Sequence, residues 1–228
     1  MSQFFSKESS QAYDEKNSKL APISGAMHFL IQLVLQDLPK QARILCVGVG
    51  TGAEILSLSK VYPEWTFVGV DPAEGMLAVC RERLEQAGVL NRCELIHGYV
   101  QDVPHGENFD AVLSVLVGHF VKRDERLGFY QNMTARLREG GYLINTEISF
   151  DLNSAQFPLM LKNWEQVQAL MGATPESLAT LPKQLKDMLT VLSTPETEDL
   201  LRQSGIAIPV RFFQAFMISG WYGKKWCE

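Results

Sequence analysis

The feature that most constrains this chain is Cys46-Val47-Gly48-Val49-Gly50-Thr51-Gly52-Ala53, a run of alternate glycines. It lies between a short apolar run, Arg43 to Val47, and a stretch with helical apolar spacing at Ile55, Leu56 and Leu58. A strand that stops in a glycine turn and opens a helix is the first unit of a parallel α/β sheet. The glycines permit positive φ and close backbone approach, and the helix N-terminus that follows presents N–H groups to a polar ligand. A ligand site is therefore expected at this turn.

The same alternation continues. Thr66 to Val70 reads as a second strand, followed by a helix from Pro72 to Ala87 with Gly88 past its end. Arg92 to Ile96, Ala111 to Val115 and Tyr142 to Ile148 read as further strands, with a helix over Asp124 to Leu137. Apolar strands alternating with helices imply a mostly parallel sheet covered on both faces. An apolar helix opened by Ala21-Pro22 and closed by Pro39 precedes the first strand. Between Phe150 and Thr194 two helical stretches, Ser154 to Met171 and Pro175 to Leu192, interrupt the pattern as an insertion. Pro195 to Ser204 and Val210 to Ile218 close it as a helix and a strand.

We expect one domain over 1–228, divided into an N-terminal lid and helix (1–40), a ligand-binding core (41–149), a helical cap (150–194) and a closing helix and strand (195–228). With Lys+Arg 21 against Asp+Glu 26 and a net charge of −5, the chain has no overall attraction to a phosphate backbone. A small-molecule partner is expected rather than nucleic acid. No apolar run suffices to span a bilayer, and the first residues lack the basic-then-apolar order of a secretory leader, so a cytoplasmic protein is expected. Cys46, Cys80, Cys93 and Cys227 show neither C-x-x-C pairing nor histidine clustering, so no metal site is expected.

Two readings of the loop stand at this point. Gly48, Gly50 and Ala53 satisfy the dinucleotide fingerprint G-x-G-x-x-G/A, and Asp71, ending the second strand in VGVDP, would grip ribose hydroxyls in either kind of cofactor. Later segments distinguish them. Gly48-x-Gly50-x-Gly52, Gly98-Tyr99-Val100-Gln101-Asp102-Val103-Pro104, Phe109-Asp110-Ala111-Val112-Leu113-Ser114 and Leu137-Arg138-Glu139-Gly140-Gly141-Tyr142-Leu143-Ile144 follow in order. Together they resemble the class I S-adenosylmethionine-dependent methyltransferases, closely over Ala42 to Glu147, and Gly205 to Ile218 looks like the terminal hairpin of that fold. A Tyr-x-x-x-Lys of short-chain dehydrogenases is missing, as is the Asn/Asp-Pro-Pro-Tyr/Phe motif of nucleic-acid methyltransferases.

The resemblance implies a Rossmann-like fold with a seven-stranded, mostly parallel sheet and an antiparallel last strand. It implies S-adenosylmethionine as methyl donor, S-adenosylhomocysteine as product and a small-molecule acceptor. It assigns Gly48, Gly50, Thr51 and Gly52 to the methionine part of the cofactor, Asp71 and Pro72 to the ribose end, and Gln101, Asp102 and Val103 to adenine. Met76 is expected to pack on adenine, Val115 to lie beside the sulfonium, and Tyr13 to belong to a lid. His119 is a candidate general base and Glu147 a candidate for orienting an amine or hydroxyl substrate. One departure concerns Cys46, where the family often carries Asp or Glu that helps hold the loop or cofactor.

Two alternatives accompany methyl transfer. Thr194 to Leu201 followed by Ser204-Gly205-Ile206 and the strand VRFFQAF resembles the carboxy-S-adenosylmethionine synthases, although Leu200 stands where an arginine clamp for the substrate carboxylate is expected and Arg202 faces elsewhere on its helix. The substitution at Cys46 also suits a noncatalytic cofactor-binding protein. The Met- and Leu-rich cap helices would wall an apolar substrate pocket or pack a homodimer interface.

Overall fold

The structure, a computed structural model, describes residues 18–104, 106 and 108–226. In chain order its elements are α1 (Ala21–Val34), β1 (Arg43–Val47), α2 (Ala53–Val61), β2 (Thr66–Asp71), α3 (Glu74–Gln86), β3 (Cys93–His97), β4 (Phe109–Val115), α4 (Arg126–Ala135), β5 (Leu137–Ile148), α5 (Phe157–Leu170), α6 (Pro175–Asp187), α7 (Thr194–Gln203), β6 (Val210–Ala215) and β7 (Ile218–Lys224). The strands form one seven-stranded sheet in the order β3-β2-β1-β4-β5-β7-β6. β1 to β5 run parallel, and β7 is antiparallel to both neighbours. The Rossmann-like class I methyltransferase architecture expected from the sequence is the one observed.

Period-2 alternation divides the strand residues between two cores. Ile44, Cys46, Phe67, Ala111, Leu113 and Ile144 face a large cluster with α1, α2, α3 and the cap helices α5 and α6. Leu45, Val47, Val68, Val70, Val112 and Leu143 face the other side, where Tyr130 and Met133 of α4 and Leu201 of α7 cover them. The cap is anchored by Phe157, Trp164, Val167, Leu181 and Leu185, all buried, so α5 and α6 extend the first cluster.

Several element boundaries differ from the sequence expectation. The helix expected at Pro72 begins at Glu74, because the Asp71 carboxylate binds the Ala73 amide and holds Pro72 and Ala73 in a turn. β5 starts at Leu137 rather than Tyr142: Leu137 pairs with Phe109, and a register shift carries the strand through Gly140, at φ +70°, to the Ala111–Tyr142 pair. The closing run Val210 to Ile218 is a hairpin, broken where Phe216 takes φ +52°, and β7 continues to Lys224. An apolar-aromatic run carries no periodic signal for a turn of this kind.

Candidate cofactor site

The parallel strands end along one edge, and the order reverses between β1 and β4, where an open α/β sheet leaves a crevice. The β1–α2 loop fills the β1 side of it. Gly48, Gly50 and Gly52 have φ of +67°, +52° and +81°, so all three sit in the left-handed region. A side chain on Gly48 would overlap Val117, and one on Gly52 would come within 2.7 Å of Cys80 Sγ. Gly50 differs, since the nearest atom to a Cβ there is the Gly48 carbonyl oxygen at 4.0 Å. Two glycines thus let protein approach the loop, and the third faces open space.

The loop amides are largely spent inside the protein. The N–H groups of Gly48 and Val49 donate to the Val70 carbonyl at 2.8 and 3.1 Å, that of Gly52 to Val49 O at 2.9 Å, and that of Gly50 to Asp71 Oδ2 at 2.9 Å. These four amides are therefore not the ones a ligand would meet; any N–H groups offered to it come from the start of α2. Among the described residues nothing donates to the carbonyls of Gly48 or Gly50. The loop presents the Gly48 and Gly50 carbonyls as acceptors, with Asp71 bound to it, which suits a cationic donor such as an ammonium.

Asp71 is 7% exposed and uses both oxygens, Oδ2 on Gly50 and Oδ1 on the Ala73 amide at 2.8 Å. Burial raises its pKa, partly offset by those two N–H bonds. Its first task is to tie the tip of β2 to the glycine loop. Thr51 receives Arg83 Nη1 at its carbonyl (3.1 Å) and hydroxyl (2.8 Å), pinning the loop to α3. Met76, buried on α3, lies outside both core clusters.

At the tip of β3, Asp102 ends a short 3₁₀ turn, and its Oδ2 accepts the Tyr99 amide at 2.7 Å. The carbonyls of Gln101 and Val103 point inward and accept the buried Arg136 guanidinium at 3.1 and 2.7 Å. Val103 is buried, whereas Tyr99 is 52% exposed at this edge, a residue the sequence reading passed over. At the tip of β4, Val115 is partly buried and Leu116 takes φ +59°, its N–H donating to Thr146 O at 2.7 Å. A β-strand tip forced into the left-handed region marks a site where tertiary contacts outweigh local preference. Val117, next in line, packs over Gly48.

The two candidate catalytic residues lie deeper than expected. Glu147 is fully buried: Oε2 accepts Arg126 Nη1 at 2.8 Å and the Tyr130 hydroxyl at 3.0 Å, and Oε1 accepts the Thr197 hydroxyl at 2.8 Å. It joins β5, α4 and α7 and does not face a substrate. His119 is 4% exposed, and its Nδ1 accepts the Ile148 amide at 3.2 Å. Burial, with the Arg126 charge beside it, lowers its pKa to about 3. A ring so placed is neutral and poorly suited to take a proton, so the general-base assignment is corrected. Tyr13 lies outside the described residues. Leu200 packs against the second core and Arg202 pairs with Asp199 at 2.6 Å, so neither forms a carboxylate clamp.

Comparison with known proteins bears on the fold and on the domain that carries the loop. Residues 44–141 match the family model described as a methyltransferase domain. A carboxy-S-adenosyl-L-methionine synthase from Methylococcus capsulatus is 23% identical over 95% of this chain and 90% of its own length. An O-methyltransferase family protein from Burkholderia thailandensis superposes with a TM-score of 0.63 at 15% identity, over 97% of this chain and 63% of that one. The solved structure of PigF with SAH gives 0.62 at 19% identity, over 86% of this chain and 55% of that one. The chain thus spans about six tenths of the solved chains it superposes on. The chain thus carries a match to a methyltransferase domain over residues 44–141 and has the fold of the class I S-adenosylmethionine-dependent methyltransferases, to which it is similar.

Proposed function

We propose that the chain transfers the methyl group of S-adenosylmethionine to a small-molecule acceptor, releasing S-adenosylhomocysteine. The observation that carries this reading is the polarity of the glycine loop: amides turned inward, the Gly48 and Gly50 carbonyls left as acceptors, and the Asp71 carboxylate beneath. Such a loop fits the ammonium of an amino-acid moiety. When bound, the sulfonium supplies an activated methyl, so transfer needs mainly an aligned nucleophile and a dry pocket. Gly48, Gly50, Thr51 and Gly52 hold the methionine end, Asp71 and Pro72 the ribose end, and Met76 with the Gln101–Val103 turn the adenine. Val115 stands at the β4 tip on the methyl side. The cap helices α5 and α6 wall the acceptor pocket, and their exposed Leu159, Leu170 and Met188 suit a homodimer contact. The buried thiols of Cys46 and Cys80 are unpaired, as suits a reduced, cytoplasmic setting. Among the described residues no helix is long and apolar enough to cross a membrane.

The test is calorimetric titration with S-adenosylmethionine, S-adenosylhomocysteine and NAD, repeated on Asp71→Ala, followed by an acceptor screen. Micromolar binding of the first two, weakened in the variant, supports the reading; binding of NAD alone overturns it. A second reading, synthesis of a carboxylated cofactor, is favoured by the length of the match to the Methylococcus capsulatus enzyme. Incubation with S-adenosylmethionine and prephenate, with mass analysis of the cofactor, separates the two. Binding without turnover in either assay would favour a noncatalytic cofactor-binding protein.

A further inference from the structure

On the face of the sheet that carries α1, α2 and α3, those helices leave an open cavity of about 680 Å³ between them. None of Gly48 to Gly52 lines it, so it is separate from the cofactor loop. Each helix turns one stripe of side chains toward it, at the three- and four-residue spacing of a helix face: Phe29 and Gln32 on α1, Leu56 and Lys60 on α2, Arg83 and Gln86 on α3. The Gln32 amide donates to Ser57 Oγ at 2.9 Å and the Tyr62 hydroxyl to the Gln32 carbonyl at 2.8 Å, which fixes α1 against α2 and makes the cavity a preformed one.

The lining has a definite chemistry. Phe29 is 57% exposed and Val61 49%, and with Leu56 they form an apolar wall. Lys60 and Arg83 supply positive charge, and no Asp or Glu belongs to the lining, although the chain as a whole carries a net charge of −5. The Lys60 ammonium makes no ion pair or hydrogen bond among the described residues. Burial lowers the pKa of His28, so at neutral pH that ring adds a polar surface and no charge. An apolar wall beside two cations without a counter-charge is complementary to an anion that carries an apolar body. The volume lies within the roughly 300–1,000 Å³ of small-molecule sites.

We propose that this cavity is a second ligand site, for a small amphipathic anion: an aromatic carboxylate or sulfonate whose body lies against Phe29, Leu56 and Val61 and whose acid group meets Lys60 and Arg83. The site is coupled to the cofactor loop, because the same Arg83 guanidinium donates through Nη1 to the carbonyl and hydroxyl of Thr51, at 3.1 and 2.8 Å. An acid group that draws Arg83 toward the cavity loosens its hold on Thr51, so the two ligands weaken each other, and by one and the same factor. The coupling rests on the S-adenosylmethionine reading above; the site itself does not.

The test titrates the full chain with 8-anilinonaphthalene-1-sulfonate, followed by dye fluorescence, and with its uncharged parent N-phenyl-1-naphthylamine. One sulfonate dye should bind per chain, about fivefold more weakly in Lys60→Gln, while the uncharged dye binds wild type and Lys60→Gln alike. Phe29→Ala should weaken both dyes. Both substituted side chains are exposed, so the variants fold. Sulfonate affinities unchanged in both variants overturn the proposal. So does a dye affinity that falls with rising protein concentration, which would assign the groove to a second copy of the chain. When S-adenosylmethionine is titrated at rising dye concentrations, its affinity should fall about fivefold and then level off. A fall without limit places the dye in the cofactor's own site and overturns the proposal; no fall overturns the coupling. If S-adenosylmethionine fails to bind even without dye, the cofactor reading is lost, and the dye titrations still decide the site.

Discussion

Arg126 and Glu147 form an ion pair at 2.8 Å with neither side chain exposed, and around it the polar interior of the protein is organised. Arg126 also donates through Nη2 to the carbonyls of Val121 and Thr190, both at 2.9 Å. The pair therefore fastens the segment after β4 and the chain returning from the cap onto β5. A side chain on Gly118 would overlap the Glu147 carboxylate, so the turn that carries His119 closes over the pair only because residue 118 is glycine. Well-paired buried ions are costly to break, though their assembly contributes little net stability.

Glu147→Ala should destabilise the protein by about 3–5 kcal/mol, because it leaves the Arg126 guanidinium buried without its counter-charge. In a chain of this size that lowers the melting temperature by roughly 10 °C. The double variant Arg126→Met, Glu147→Leu should regain much of the loss. Thermal melts of the three proteins check this, and an unchanged melt for Glu147→Ala would refute the buried pair.

Gly48→Ala and Gly50→Ala should behave differently. Both carry a left-handed strain of about 1–2 kcal/mol, but only Gly48→Ala also collides with Val117. The first should lose stability and binding together. The second should melt within a few degrees of the wild type while losing at least tenfold in S-adenosylmethionine affinity. Paired melts and titrations test this, and equal losses of stability would count against the loop geometry.

Replacing His119 by Asn, which can still accept the Ile148 amide, should leave the shape of the pH–rate profile of methyl transfer unchanged between pH 5 and 9. The ring's pKa of about 3 keeps it neutral throughout that range. Disappearance of an acidic limb near pH 6 to 7 in the variant would restore histidine as the base.

The pH dependence of stability should show two opposing contributions. His119 is lowered from 6.5 to about 3, so its contribution is fully present above pH 6.5 and is lost as pH falls toward 3. Glu54 is raised from 4.5 to about 8, so its contribution is fully present below pH 4.5 and is lost as pH rises toward 8. Between pH 6.5 and 8 Glu54 acts without opposition from His119, and stability should fall by up to about 1.4 kcal/mol per unit. Denaturant midpoints across this window should flatten in Glu54→Gln; a persistent slope would assign the fall to another group.

Much of the frame was legible along the chain. The apolar strands, the glycine turn and the helices between them are local patterns, and alternation along β1 and β2 already separates the two faces of the sheet. Less legible was what the carboxylates do. Arg126 sits in the charge-rich stretch Lys122-Arg123-Asp124-Glu125-Arg126, which reads as a solvated face, and nothing local says that it goes inside. Glu147 carried a usable signal: a lone carboxylate in an otherwise uncharged strand, Tyr142 to Ile148, demands a buried partner. Glu54 carried none, since glutamate is ordinary in the first turn of a helix.

The sequence by itself determined a parallel α/β sheet with a ligand loop after its first strand, because hydrophobic periodicity and glycine conformational freedom act over a few residues. Tertiary structure alone decided that the Gly48, Gly50 and Gly52 amides turn inward, that His119 is buried, that Glu147 is bound to Arg126, and that Glu54 at the start of α2 is buried. Those outcomes depend on desolvation and on charges contributed by distant strands and helices, and neither quantity exists until the layers have packed.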